Sequence, residues 1–443
     1  MFNNIIDKLL KLGAQQADDI EVLIVGENSF SVRVHDQQIE AFNYSDSKGL
    51  GIRVLIDGQV GVSYTEDFNE SALQMVVREA VANARINEQA EKVVLANYPE
   101  VDAKLELFNE SLEKVPVEDK VALIKDIDRI ARKLDKRIIN VPYCMYGDGK
   151  SIVHIANSKG LNKQERTNST YSFLSPLAQS GEEKRAAHAF ALTRDFSKLN
   201  AEELAREAVK NTVELLGGQK FDAGMYPVVF NGETMASMLS TFSGLFSARQ
   251  VHEGRSLLAG KLGQSIASDH VTLLDDALHP TGFSSRYFDS EGYPSQSTLV
   301  VDAGKLKTYL HNTVTAAKDG VHSTGNGTRG YKGDLRITPS NFYLKPGVAT
   351  RGELFSAQPR LIEIVALSGL HSGANAVSGD FSLSGEGFLW ENGERKHSLQ
   401  MFTVSGNILD MLHDVQAVAD DFQFQMNTFG AASTLVGGLS FSG

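Results

Sequence analysis

The sequence predicts an α+β chain in two parts, residues 1–218 with helices laid on antiparallel strands and residues 219–443 rich in β-structure. Three observations carry this. Hydrophobic periodicity alternates between helical and strand spacing through the first part. Beyond Gly260 the composition turns to Gly, Ser, Thr and Asn broken by short apolar runs, the pattern of short strands joined by turns. A length of 443 residues also exceeds the size at which a single core usually stops growing.

Phe2, Ile5, Ile6, Leu9 and Leu10 recur at helical spacing, and Gly13 ends the run. Ile20 to Val25 and Ser29 to Phe42 alternate as strands, and Leu50 to Ile56 joins Val60 to Tyr64 through Asp57-Gly58, a hairpin turn whose residues tolerate positive φ. Asn69 to Ile86 is helical, with Leu73, Val76, Val77, Ala80, Val81 and Ala84 on one face. Val117 to Leu134 repeats that stripe with Val121, Leu123, Ile124, Ile127, Ile130 and Ala131. Strands are expected at 138–146 and 151–157 around Asp148-Gly149, then at 170–177 and 187–194, before a helix at 201–216. Ser47-Lys48-Gly49-Leu50 recurs as Ser158-Lys159-Gly160-Leu161, each read as a strand junction. The recurrence allows either an internal duplication or two similar turns.

A boundary is expected at Gly217-Gly218-Gln219-Lys220. Beyond it Val228 to Phe230 is a short strand, and Asn231 is suited to cap a helix because its side chain accepts a bond from an otherwise unpaired amide. Met235, Met238, Leu239, Phe242, Leu245 and Phe246 form the apolar face that follows. Short strands are then expected at 297–301, 341–344, 361–367, 387–390 and 402–404.

A formal charge of −12 argues against direct binding of nucleic acid, which needs a basic surface to displace phosphate counterions. The single cysteine, Cys144, excludes an internal disulfide framework and multi-cysteine zinc sites, and its strand-like neighbours mark it as a buried structural thiol. The opening Met1-Phe2-Asn3-Asn4 lacks a basic region, and Asp7, Lys8 and Lys11 interrupt the apolar residues after it, which argues against a signal peptide. No run reaches the roughly 20 apolar residues of a membrane span. A cytoplasmic chain is expected.

The segment from Thr234 to Val251 contains no His, Glu, Asp or Cys. The only His-Glu pair, His252-Glu253, has Ser256 where a His-Glu-x-x-His motif needs its second imidazole. His252, His270 and His279 show no metal-ligand spacing. A Ser-His-Asp triad from Ser372 or Ser378, His371 or His311, and Asp380 would lack the Gly-x-Ser-x-Gly elbow. Gly325 to Gly330 lacks the Gly-Lys-Ser/Thr ending of a phosphate loop. No catalytic or metal-binding residue is therefore assigned.

What remains is a set of small polar segments. His311, Asn312, Asn326, His371, Asn375, Ser378, Asp380 and Asn407 are the candidates for contact with a substrate or partner, because extended peptides are held by amide and backbone hydrogen bonds. Turn formation is the alternative for each asparagine, which tolerates left-handed backbone and bonds its own chain.

Together these segments resemble one family over nearly the whole chain. Leu310-His311-Asn312, Ser323-Thr324-Gly325-Asn326-Gly327, Gly369 to Asn375, Ser378 to Ser382 and Ser405 to Asp410 are similar to the signature of the TldD/PmbA proteins. Tyr44 to Val54, Gly260 to Gly263 and Asp289 to Gly292 fit as well. The resemblance implies an α+β N-terminal domain and a β-rich C-terminal domain. The TldD branch of the family is a zinc metallopeptidase with His-Glu-x-x-x-His on a helix and a C-terminal cysteine ligand; the PmbA/TldE branch is its partner. Counting back from Gly260 places Leu239, Ser240 and Gly244 at the motif positions, and no cysteine follows Cys144, so this chain resembles the PmbA/TldE branch. The resemblance implies a heterodimer with a TldD-like subunit that supplies zinc and degrades small or unfolded peptides, with family links to microcin maturation, antitoxin degradation and, indirectly, DNA gyrase. A homodimer acting as a peptide-binding regulator and an independent Ser/His hydrolase are the other readings.

Overall fold

The computed structural model describes residues 2–87, 93–425 and 428–443. Its N-terminal elements are α1 (Asn3–Gly13), β1 (Asp19–His35), β2 (Gln38–Ile56), β3 (Gln59–Thr65), α2 (Glu70–Ile86), α3 (Val117–Leu134), β4 (Ile138–Asn157), β5 (Asn162–Ser180), β6 (Glu183–Ala186), β7 (Ala189–Thr193) and α4 (Ala201–Glu214). The strands form one antiparallel sheet in the order β3-β2-β1-β4-β5-β6, with β7 also pairing β5.

Strand parity organises this half. Ile20, Val22 and Ile24 of β1 pack with Leu73, Val77 and Ala80 of α2 and Ile6 and Leu9 of α1. Phe30, Val32 and Val34, of the same parity, pack with Ile124 and Ile127 of α3 and Ala205 and Ala208 of α4. All four helices therefore cover one face of β1. The opposite parity, Glu21 and Leu23, points to the C-terminal half, where Leu23, with Ile155 and Leu161 of its own half, meets Phe288.

The structure differs from the sequence reading at three turns. β1 is one strand of 17 residues that ends at Asp36-Gln37, where positive φ angles of 48° and 62° close a two-residue hairpin. A glutamine in that conformation gives no turn signal. β4 is also continuous, because Gly147 and Gly149 pair in register with Tyr171 and Ser169. Gly147 serves close approach rather than a turn, since a Cβ there would lie 2.5 Å from the Tyr171 ring. Ser158 to Leu161 does join β4 to β5, with Gly160 at φ 94°. Ser47 to Leu50, by contrast, lies inside β2 in unbroken pairing with β1, so the two four-residue matches occupy different structural positions. The Asp57-Gly58 hairpin forms as read, with φ of 49° and 80°.

Beyond residue 218, β8 (Gly224–Phe230) lies in a seven-stranded sheet between Arg360–Ser368 and Thr434–Ser442. A six-stranded sheet includes Leu273–Asp276, Ser297–Asp302 and Phe342–Leu344. Between them runs α5 (Gly232–Phe242), capped by Asn231, whose side chain accepts the Thr234 amide at 2.8 Å. Met235, Met238, Leu239 and Phe242 share one core with Val228 and Ile364 of the first sheet and Leu273, Val300 and Phe342 of the second. Each such side chain contributes about 1.5–3 kcal/mol of burial. No helix among the described residues is long and apolar enough to cross a membrane.

Candidate functional site

The residues read as candidates fall into two groups. The first is buried where the two halves of the chain meet. On β1 and β2, Glu21 and Arg53 are directly cross-strand, with Arg53 Nη2 3.0 Å from Glu21 Oε1. Arg329, from the loop after Asn326, also donates to Glu21. Arg53 reaches Glu291 at 3.9 Å. Glu291 in turn accepts the Thr313 amide at 2.8 Å, and Asp289 accepts the Gly327 amide at 2.9 Å. Gly327 is required by this approach, because a Cβ would lie 2.7 Å from Glu291 and 2.9 Å from Asp289. Burial, then the neighbouring Glu291, pushes the Asp289 carboxyl well above its ordinary range. Segments 289–292, 310–313 and 323–329 thus converge on one interdomain polar hub.

Asn326 sits beside that hub and is fully buried. It donates to Asp275 at 2.6 Å and to the Thr338 carbonyl at 3.1 Å, and accepts from Thr324 at 2.6 Å. Asn312 caps the short helix Thr313–Asp319 through a capping box. The His311 carbonyl accepts from the Ser323 and Thr324 hydroxyls, both at 3.1 Å. The His311 ring is buried with Nδ1 unpartnered among the described residues, and burial lowers its pKa, opposed by Asp319. These side chains are chiefly tied to one another.

The second group lies at the end of the C-terminal sheet. Asn375 is exposed and accepts the Val377 and Ser378 amides at 2.9 and 3.2 Å. Asn407 caps the helix Ile408–His413 and donates to Asp380 and to the Ser378 carbonyl, both at 2.9 Å. Asn407 and then Ser378 hold the Asp380 carboxyl below its ordinary range. His371 is exposed on the short helix Leu370–Gly373. An open cleft of about 500 Å³ is lined by Ser372, Asn375, Asp380 and Ser382. No hydrogen bond joins His371 or His311 to Ser372 or Ser378 among the described residues, so these groups do not form a Ser-His-Asp relay.

On α5 the zinc-motif positions do not fit a metal. Leu239 is in the core, Ser240 is exposed, and Gly244 is exposed in the 3₁₀ turn Ser243–Phe246 that ends the helix. Zinc needs three or four converging N, O or S donors, and no group of three or more His, Cys, Asp or Glu suited to a metal occurs among the described residues. The three histidines have separate partners: His252, at the end of the short helix Ala248–His252, bonds Asp319 at 2.7 Å, His270 lies 3.8 Å from Asp269, and His279 packs against Phe424 at 4.8 Å. Cys144 is buried, and burial raises its thiol pKa.

An interdomain cleft was not legible in the sequence. It encloses about 890 Å³ between the sheet and the C-terminal half, and Leu107, Glu165, Arg194, Phe283 and Tyr287 line it. Burial pushes the Glu165 carboxyl up to about 7, although the Tyr287 amide donates to it at 2.6 Å. Its walls come from strand ends and an extended segment far apart in sequence. No local pattern marks them.

Comparison with known proteins places each part of this architecture. Models of the PmbA/TldA metallopeptidase match residues 20–84 as domain 1, 110–216 as the central domain and 223–443 as the C-terminal domain. A Haemophilus influenzae metalloprotease named as a PmbA homologue is 27% identical, covering 94% of this chain and 91% of that protein. A Thermotoga maritima structure provisionally labelled a modulator of DNA gyrase superposes with a TM-score of 0.93 at 30% identity, covering 100% of both chains. TldE from Thermococcus kodakarensis shares the fold, with a TM-score of 0.89 at 22% identity over 99% of this chain and 100% of that one.

Proposed function

The chain belongs to the PmbA/TldD metallopeptidase family, and from that premise we propose that it is the PmbA/TldE-type subunit of a two-subunit zinc metallopeptidase. The observation that supports the proposal is that α5, between the two sheets, and the turn after it carry Leu239, Ser240 and Gly244 at the positions the resemblance assigns to the zinc motif. In this reading a TldD-like partner holds the zinc, whose role is to polarise water for attack on a peptide bond. This chain contributes walls, substrate contacts and partner surface in a cytoplasmic enzyme that acts on small or unfolded peptides. In this reading the loop group of His371, Asn375, Ser378, Asp380 and Asn407, exposed at His371, Asn375 and Asp380 and half-buried at the other two, is the part of the candidate set that meets an extended chain.

The test is reconstitution. The purified chain alone leaves an unfolded peptide intact, and cleavage appears when a TldD-like protein from the same organism is added and disappears with a chelator. Cleavage by the isolated chain, blocked by a serine-directed inhibitor, would favour a Ser/His hydrolase. Peptide binding with no cleavage in either case would favour a regulatory homodimer.

A further inference from the structure

We propose that the 890 Å³ interdomain cleft binds peptides by their free C-terminal carboxylate, with Arg194 as the anchor; the inference rests on the peptide-handling reading above and adds a site to it. A cleft of this volume lies within the range that holds ligands the size of a short peptide.

Arg194 follows the last residue of β7 and is fixed on three sides. Nε donates to the Leu107 carbonyl at 3.3 Å and Nη2 to the Gly282 carbonyl at 3.2 Å. The guanidinium lies 4.6 Å from the centre of the Phe283 ring. These contacts orient the fork without neutralising it. Other buried arginines are matched to carboxylates: Arg53 and Arg329 to Glu21, and Arg185 to Glu183 and Glu386. Arg194 has no carboxylate partner within ion-pair distance among the described residues, and burial lowers its pKa. A pre-oriented, half-buried guanidinium without a counter-ion is suited to a carboxylate, which it binds through charge-assisted and often bidentate hydrogen bonds.

The rest of the cleft selects among anions. Glu106, Glu110, Glu165 and Asp195 line it together with Arg166 and Lys198, and Glu110 accepts from Arg166 at 3.3 Å, so the lining carries no surplus of positive charge for a nucleotide or other polyanion. Leu105, Phe108 and Phe283 offer an apolar wall beside the arginine. A monoanion attached to an apolar side chain fits both conditions. The carboxylate end of a peptide is such a group.

The probe is a fluorescein-labelled hexapeptide ending in phenylalanine, prepared as the free acid and as the C-terminal amide, and titrated against the full chain by anisotropy. The acid should bind at least about tenfold more tightly than the amide. Arg194→Gln should abolish that difference, and Arg194→Lys should keep part of it. Because Arg194 also bridges two carbonyls, circular dichroism on the same preparations verifies folding; if the Gln variant does not fold, the acid-to-amide ratio of the wild type and the Lys variant decides. Equal binding of acid and amide, no binding of either up to about 1 mM, or discrimination that survives Arg194→Gln would overturn the proposal. The assay contains no partner subunit and reads no cleavage. Its failure therefore leaves the two-subunit reading standing, and failed reconstitution leaves the anchor standing.

Discussion

Replacing Glu21 with glutamine removes the carboxylate that Arg53 and Arg329 share. Glu21 is 1% exposed, so water cannot take its place. Arg53 would keep only Glu291, at 3.9 Å, and Arg329 would keep the Ser290 carbonyl, at 3.4 Å. Two buried guanidinium groups would then be left with Glu291 and, for Arg329, Asp289 as the carboxylates still acting on them. Breaking a buried ion pair costs about 3–5 kcal/mol because the surviving charge stays desolvated, and two stranded cations place this variant toward the upper end. The cost falls on the junction between the halves, since Glu21 and Arg53 belong to the N-terminal sheet and Arg329 and Glu291 do not. Urea unfolding monitored by far-UV circular dichroism and by the single tryptophan, Trp390 in the C-terminal sheet, separates the halves. The two signals should change together in the wild type, whereas in the variant part of the circular dichroism should be lost first. Adding Arg329→Met removes one stranded cation, so the double variant should be more stable than the sum of the single costs by about 1–3 kcal/mol. Strict additivity, or a Glu21→Gln variant within about 0.5 kcal/mol of wild type, would refute the reasoning.

Asn326→Ala should lower stability by about 1–3 kcal/mol by leaving the buried Asp275 Oδ2 without its donor, the Ser340 amide remaining on Oδ1, while His371→Ala, at an exposed position, should leave the melting temperature nearly unchanged and reduce cleavage by the reconstituted pair. Full activity of the His371 variant would remove the loop group from the site. Gly327→Ala should destabilise by about 1–3 kcal/mol as its methyl displaces the Asp289 and Glu291 carboxylates; an unchanged denaturation midpoint would show that the hub yields. Glu165 has a folded pKa raised from 4.5 to about 7, so between those values the native state holds a proton that the unfolded state has released. Its stabilising contribution is full below about pH 4.5 and is lost as pH rises through about 7. The stability of wild type relative to Glu165→Gln should therefore fall across that window, and a flat difference would contradict the assignment.

Elements with a strong local pattern were legible in the sequence. The stripes of α2 and α3, the Asp57-Gly58 hairpin and the Asn231 cap formed as their residues dictate. Turns made by residues of weak preference were not, as at Asp36-Gln37, and Asp148-Gly149 misled because it pairs in register with Ser169 and Thr170 inside β4. The small polar segments were visible as special, but sequence could not separate those buried in the hub, such as Asn326, from those on the surface, such as Asn375. That distinction depends on partners such as Asp275, 51 residues away in sequence. The interdomain cleft was invisible for the same reason: Leu107, Arg194 and Phe283 meet only in three dimensions.

The central claim is that this chain occupies the metal-free place in a two-subunit peptidase. Its most direct test is elemental analysis of the pair formed with a TldD-like subunit, followed by separation of the two chains and analysis of each. The account predicts about one zinc per pair, all of it with the partner, as one tetrahedral site requires, and none retained by this chain. Stoichiometric zinc in this chain alone, lost on substitution of His252 or His311, would contradict it.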